Sequence, residues 1–291
     1  MEISLALGGG GAKGIAHIGV LRCLEREGIR VAAVAGTSAG GIVAALFAVG
    51  YSPDEILERF KKLDFSQMYR HVPGDQPSLL GVAGVRKIVA EMIGERKFSD
   101  LKIPAALVSV DLRSGKEVVL KDGCVAEAVM ATIALPGILP PVEMDGLFLV
   151  DGGVLNPVPV APARALAPQL PVVAVVLNTV SSEPRETLGP PRIFQNIPLV
   201  NKFSGLRLAQ ALNIFMHSLE VSGSYTTELR LQIDKPDVIL RPEVSDIGLF
   251  DRVDIDEVVH LGEIALTAVL PELKQAGSWN RRLSRYLLSR G

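Results

Sequence analysis

From Val31 to Phe47 an uncharged apolar run enters Gly36-Thr37-Ser38-Ala39-Gly40 and leaves it as small apolar residues, and this constrains the chain more than any other stretch. It reads as a buried strand, a sharp turn and a helix. The pattern is G-x-S-x-G: Gly36 and Gly40, two positions either side of Ser38, keep side chains out of the turn. Ser38 Oγ is then directed outward at the C-terminal end of a strand, where open α/β sheets meet their ligands, above the positive end of the next helix. The same pentapeptide also serves as a plain strand-to-helix joint whose serine caps the helix. Val31 to Pro53 is long enough to cross a bilayer, but the Gly and Ser at its centre make a poor helix interior.

A second glycine-rich joint precedes this one. Ile3 to Leu7 reads as a short strand ending in Gly8-Gly9-Gly10-Gly11-Ala12-Lys13-Gly14, and Ile15 to Glu27 shows helical spacing at Ile15, Ile18, Leu21 and Leu24. Three uses compete for such a loop. A phosphate-binding P-loop needs Ser or Thr after the lysine, and Gly14 follows Lys13. A dinucleotide site fits Gly9, Gly11 and Gly14 but wants an acid near the end of the next strand, and none lies between Glu27 and Asp54. The third use is an oxyanion hole, in which adjacent glycines let N–H groups converge on developing negative charge. Only this use accounts for Ser38 at the end of the neighbouring strand. Lys13 would add positive charge there, although a solvated lysine is the ordinary state of that residue.

A serine nucleophile needs a proton acceptor within hydrogen-bond reach. Phe148 to Val150 forms a short apolar strand that delivers Asp151 into Gly152-Gly153, leaving its carboxylate open, though Asp-Gly is also a common turn. Asp111 ends a similar run, but Leu112 and Arg113 crowd it and the arginine can pair with it. The four histidines are less well placed: His17 in the first helix, His71 in an irregular loop, His217 and His260 in later helical patterns.

Composition bounds the rest. At 291 residues with 48% apolar content the chain can bury a substantial core, and a net charge of −2 offers no basic field for nucleic acid. Cys23 and Cys124 are too few for a disulfide framework and suit a reducing cytoplasm. Met1-Glu2 opens directly into a strand, without a signal-peptide pattern. No His, Cys and carboxylate set has metal-ligand spacing, so the sequence calls for neither metal nor organic cofactor.

The remaining elements follow in order. Pro53 to Leu63 is a helix capped by Ser52, Asp64 to Gly84 a loop flanking the site, and Val85 to Ile93 a helix. Ile103 to Asp111 and Lys116 to Leu120 are strands joined at Ser114-Gly115, and Glu127 to Ile133 is a short helix ahead of Pro136. Pro171 to Leu177 is a buried strand and Ser181 to Pro198 a connector. Asn201 to Leu219 is a helix with an apolar stripe at Leu208, Leu212, Phe215 and Leu219. Asp237 to Arg241 is one more strand and Ile255 to Leu270 a helix. Trp279 to Arg290 is basic with interleaved apolar residues, suited to an anionic membrane surface or to a solvated terminal helix.

Taken as a set, Gly9 to Gly14, Gly36 to Gly40 and Asp151-Gly152-Gly153, with His17-Ile18-Gly19-Val20-Leu21 and the proline-rich run Pro136 to Pro141, resemble the patatin-like phospholipase family. The resemblance covers roughly the first 165 residues. It implies an α/β fold with a three-layer α/β/α core and nucleophile elbow over 1–165, residues 166–291 completing the core and adding a mainly helical C-terminal extension. It also implies a serine acyl hydrolase of esterase, phospholipase A or lysophospholipase type acting on lipid acyl esters. Ser38 would be the nucleophile, Asp151 the base, and the N–H groups of Gly9, Gly10 and Gly11 the oxyanion donors, with Lys13, Gly14, Gly36, Gly40, Gly152 and Gly153 supporting them. A cytoplasmic protein touching the inner face of the membrane would fit. The rival reading is a non-catalytic module whose glycine loop holds a nucleotide or anion while Ser38 caps a helix.

Overall fold

Side-chain size along the central strands decides which helices can lie on which face. The computed structural model describes residues 1–62, 77–178 and 203–277, with side chains of the long helix given from residue 210 onward except at 212. Along the chain lie β1 (Glu2–Leu7), a 3-10 turn (Gly11–Ile15), α1 (Ala16–Arg26), β2 (Arg30–Thr37), α2 (Ala39–Val49), α3 (Pro53–Lys61) and α4 (Ala83–Ile93). Then come β3 (Ala105–Asp111), β4 (Lys116–Leu120), α5 (Val125–Thr132), β5 (Val142–Met144), β6 (Leu147–Asp151), α6 (Val160–Leu166), β7 (Val172–Val175), α7 (Phe203–Asp234), β8 (Val238–Leu240) and α8 (Ile255–Ala276). The strands form one sheet in the order β5-β6-β3-β2-β1-β7-β8, with β4 also paired to β3. Pairing is parallel from β3 through β2, β1 and β7 to β8 and antiparallel around β4, β5 and β6.

One face presents Ile3, Leu5, Leu7, Val34, Leu107, Val173 and Val175 to a large cluster that includes α1, α2, α4, α5 and α8. The other presents Ala6, Ala35, Ala106, Val172 and Ala174 to α6 and to Leu231 of α7. Alternating residues thus send large side chains to one layer and alanines to the other. The alanines let α6 sit close, and Ser4 Oγ donates to Ala163 O at 2.6 Å across that gap. The result is an α/β/α sandwich, as the resemblance implies, and β7, β8 and α8 belong to the same body.

Close helix packing is built from glycine. A Cβ on Gly19 would lie 1.8 Å from Val259 O, and one on Gly262 would lie 2.0 Å from Ala16 O. α1 and α8 therefore touch backbone to backbone. Gly19→Ala is expected to cost about 3 kcal/mol or more, since the helices must separate. Urea denaturation measures it. A variant as stable as the parent would contradict this packing.

Several boundaries differ from the sequence reading. Ser52 caps α3 through a reciprocal bond with Glu55, as expected. The hairpin β5–β6 was not foreseen, although its signal was present: Asp145 and Gly146 both adopt positive φ, at 52° and 78°, in a two-residue turn. α7 runs on to Asp234 rather than stopping at Leu219. Of the apolar stripe expected there, Leu219 is half-buried against the main core while Phe215 is 42% exposed. The expected loop over 64–76, the connector at 181–198, the side chains of Leu208 and Leu212 and the basic segment from Trp279 lie outside the described residues. Among the described residues no helix is long and apolar enough to cross a membrane.

Candidate active site

A single strand sets the spacing of the site. β4 pairs along one edge of β3 from Leu107 to Asp111, so the other edge is left for both β2 and β6. β2 runs parallel to β3 and ends with Thr37 opposite Val108; β6 runs antiparallel and ends with Asp151 opposite Ser109. The two strands meet with their C-terminal ends at adjacent positions of β3. Ser38 and Asp151, 113 residues apart in sequence, are brought side by side: Ser38 Oγ donates to Asp151 Oδ2 at 2.5 Å.

Ser38 occupies φ 55°, ψ −125°, a conformation unfavourable to a residue with a side chain. The turn around it is closed by backbone contact. A Cβ on Gly36 would lie 2.4 Å from Gly40 O, and one on Gly40 would lie 2.3 Å from Leu7 O. Thr132 completes the support, its Oγ1 accepting from the Ser38 N–H at 3.0 Å and donating to Val108 O. Gly41 leaves room for it, since a Cβ there would lie 2.6 Å from Thr132 Cγ2. No motif singles out Thr132, whose place at the end of α5 becomes meaningful only once α5 packs on α2. The Ser38 side chain makes no capping bond to α2.

Asp151 is buried, and desolvation raises its pKa from an ordinary 3.8 to about 6, against the lowering effects of its bonds from Ser38 and Gly153. Gly153 N–H donates to Oδ1 at 2.7 Å, which fixes the carboxylate and leaves Oδ2 to the serine. Gly152 permits the turn, because a Cβ there would lie 2.4 Å from Val108 O. Asp111 has a different task. Bonds from Ser114 Oγ at 2.6 Å and Phe148 N at 2.9 Å lower its pKa to about 2 and tie it to the β3–β4 turn. The Arg113 guanidinium pairs with Glu143 and Gly146 O rather than with Asp111.

The glycine loop lies against the serine: a Cβ on Gly9 would stand 3.1 Å from Ser38 Cβ. Gly9 is not available as an oxyanion donor, contrary to expectation, since its N–H already donates to Pro157 O at 2.9 Å. Among the described residues, the N–H groups of Gly10 and Gly11 are not taken by a hydrogen bond. Gly11 is at φ +58° and a Cβ on it would lie 2.2 Å from Leu249 O, while Gly14 has only 2.5 Å to Ala39 Cβ. Lys13 is buried, at 5% exposure, and is not the solvated lysine expected by default.

Two further residues order the site and were not assigned this role from sequence. His17 is fully buried and neutral, burial lowering its pKa to about 4, and its Nε2–H donates to Gly8 O at 2.7 Å. It pins the peptide at the start of the loop. Asn156 C=O accepts from Thr37 Oγ1 at 2.9 Å, so the segment from Asp151 to Pro157 ties Asp151, the turn at Ser38 and the glycine loop together. His217 and His260 sit on α7 and α8 beside Glu220 and Glu263, and His71 lies outside the described residues. A buried carboxylate on Ser38, the residue against which Gly9 lies, would repel a bound phosphate, which disfavours the anion-binding alternative. Among the described residues no cluster of three or more His, Cys, Asp or Glu is arranged to hold a metal ion.

The chain is similar to known proteins in sequence and in fold. An uncharacterized NTE family protein of Mycobacterium tuberculosis is 36% identical over 65% of this chain and 52% of its own length. Lysophospholipase NTE1 of Debaryomyces hansenii is 26% identical over 95% of this chain and 18% of its own. The chain thus spans about half the length, or less, of these relatives. The crystal structure of VipD from Legionella pneumophila shares the fold, with a TM-score of 0.57 and 13% identity over 93% of this chain and 66% of that one. The profile of the patatin-like phospholipases matches residues 5–164, more than half of the 291, and the chain belongs to that family.

Proposed function

We propose that this chain is a serine acyl hydrolase that cleaves lipid acyl esters through a Ser38–Asp151 dyad, as an esterase, phospholipase A or lysophospholipase. The observation that carries the proposal is the 2.5 Å bond from Ser38 Oγ to a buried carboxylate whose pKa is raised to about 6. A carboxylate of that basicity is ionised at neutral pH yet takes a proton more readily than an exposed one. Asp151 Oδ2 accepts the Ser38 proton as Oγ attacks the ester carbonyl. The tetrahedral oxyanion is met by the N–H groups of Gly10 and Gly11, with Gly9 kept bare so that the carbonyl can approach. Asp151 returns the proton to the leaving alcohol or lysolipid. Water then attacks the acyl-enzyme with the same carboxylate as base.

Hydrolysis of p-nitrophenyl esters of increasing chain length tests the activity, and histidine replacement tests the dyad. Changing His71, His217 or His260 to Gln is expected to leave kcat/KM within about threefold of the parent, since no chemistry passes through them. His17→Gln loosens the Gly8 carbonyl and is expected to cost on the order of tenfold, far less than Ser38→Ala. A folded histidine variant as inactive as Ser38→Ala would replace the dyad with a triad.

A further inference from the structure

α7 is turned inside out. Its buried side carries Asn213, Met216, Ser224, Thr227 and Leu231, so three of the five are polar. That is tolerable because Ser224 and Thr227 donate to the carbonyls of Glu220 and Gly223, four residues back in the same helix. The opposite side carries Ile214 (60% exposed), Phe215, Val221 (69%), Tyr225 (68%), Leu229 and Ile233 (69%). At 3.6 residues per turn these share one broad arc about 28 Å long; Ser218, Ser222 and Gln232 within it bear no charge, and Glu228 at its margin is paired with Arg241.

α7 lies beside the mouth of the site. α7 packs on the turn that follows Asp151, where Val154 and Leu155 are 40% and 36% exposed. Gly223 lies against Asn178, next to Leu177, whose Cβ is 3.1 Å from where a Gly10 Cβ would be. The inner side reaches the catalytic segment as well. Arg230 Nη2 donates to Glu117 Oε2 at 3.3 Å, and Glu117 Oε1 accepts from Asn156 Nδ2 at 3.0 Å.

We infer that the outer face of α7 docks on the surface of aggregated, uncharged or zwitterionic lipid and holds the mouth of the Ser38 site against it, an inference that rests on the hydrolase reading above. Two observations favour lipid over a second copy of the chain. α7 adjoins the turn that follows Asp151, so a lipid surface on its outer face brings substrate to the site, whereas a second subunit there would crowd it. The arc also lacks both the charges that set register in a protein interface and the basic residues that seek anionic head groups.

The test is sedimentation with phosphatidylcholine vesicles, using Ser38→Ala protein so that the lipid is not consumed. The parent is expected to bind, with little change between low and high salt. Val221→Glu with Tyr225→Glu is expected to weaken binding at least about tenfold, since two apolar anchors are replaced by charge. In the Ser38 background the same pair should leave hydrolysis of a soluble short-chain ester within about twofold, which also reports that it folds. Unchanged vesicle binding, or a dimer in light scattering that the double substitution dissolves, would overturn the inference. Loss of vesicle binding with short-chain activity kept supports it. If the parent binds vesicles but never hydrolyses any ester, it is the hydrolase reading that fails.

Discussion

Asp151→Asn is expected to lower kcat/KM for ester hydrolysis by roughly 10³-fold or more, because Asn matches the shape of Asp but cannot take the Ser38 proton. The pH profile should carry the same signature. Asp151 acts ionised and titrates at about 6, so kcat/KM in the parent should be level above that pH and fall about tenfold per unit below it. Stability should move the other way. The folded pKa lies above the ordinary 3.8, so the folded state binds more protons than the unfolded state between the two values. The penalty of burying this carboxylate is therefore absent below about pH 4 and complete above about pH 6, where it is worth on the order of 3 kcal/mol. Asp151→Asn should accordingly be more stable than the parent at pH 8 in urea titrations and lose that advantage at pH 4. A stability difference between variant and parent that is the same at both pH values would mean that the carboxylate is solvated.

The second large effect is expected in the glycine loop. Gly11 is held at φ +58° with Leu249 O 2.2 Å from the site of a Cβ, and that same carbonyl receives the Ala12 N–H at 2.9 Å. Gly11→Ala must displace either the loop or the segment that clamps it. Loss of aligned donors should reduce kcat by about 10²-fold, with KM for a soluble ester changing much less. Gly10→Val acts differently, pressing its side chain on Leu177 and Lys13, whose atoms lie 3.1–3.3 Å from a Cβ, and a similar loss is expected. Undiminished kcat in both folded variants would remove the loop from the mechanism.

What could be read from the sequence is what depends on close backbone approach. Gly36, Gly40 and Gly152 stand where another chain segment leaves no room for a Cβ, and such positions show as G-x-S-x-G and Asp-Gly-Gly without knowledge of the fold. The choice between Asp111 and Asp151 was also legible, because two glycines follow one and bulky residues the other. What the sequence hides is pairing over long distances. That β2 and β6 share one edge of β3 is decided by the whole sheet, and with it the reason Thr37 and Asp151 become neighbours. The commitment of Gly9 to Pro157 is likewise invisible until β7, α6 and the loop are assembled. The length of α7 is hidden for another reason: Ser222, Gly223 and Ser224 break the apolar pattern past Leu219, and the buried Ser224 and Thr227 are satisfied by carbonyls of their own helix.

In the proposed mechanism Ser38 is a nucleophile made reactive by Asp151. Labelling with a fluorophosphonate probe, followed by mass spectrometry of the digested protein, tests it most directly. A single adduct is expected on the peptide containing Ser38, forming more slowly as the pH drops below about 6. In Asp151→Asn the rate should fall by at least about 100-fold at pH 8 while the protein stays folded. An unmodified Ser38 in well-folded parent protein, or labelling as fast in Asp151→Asn as in the parent, would contradict the account.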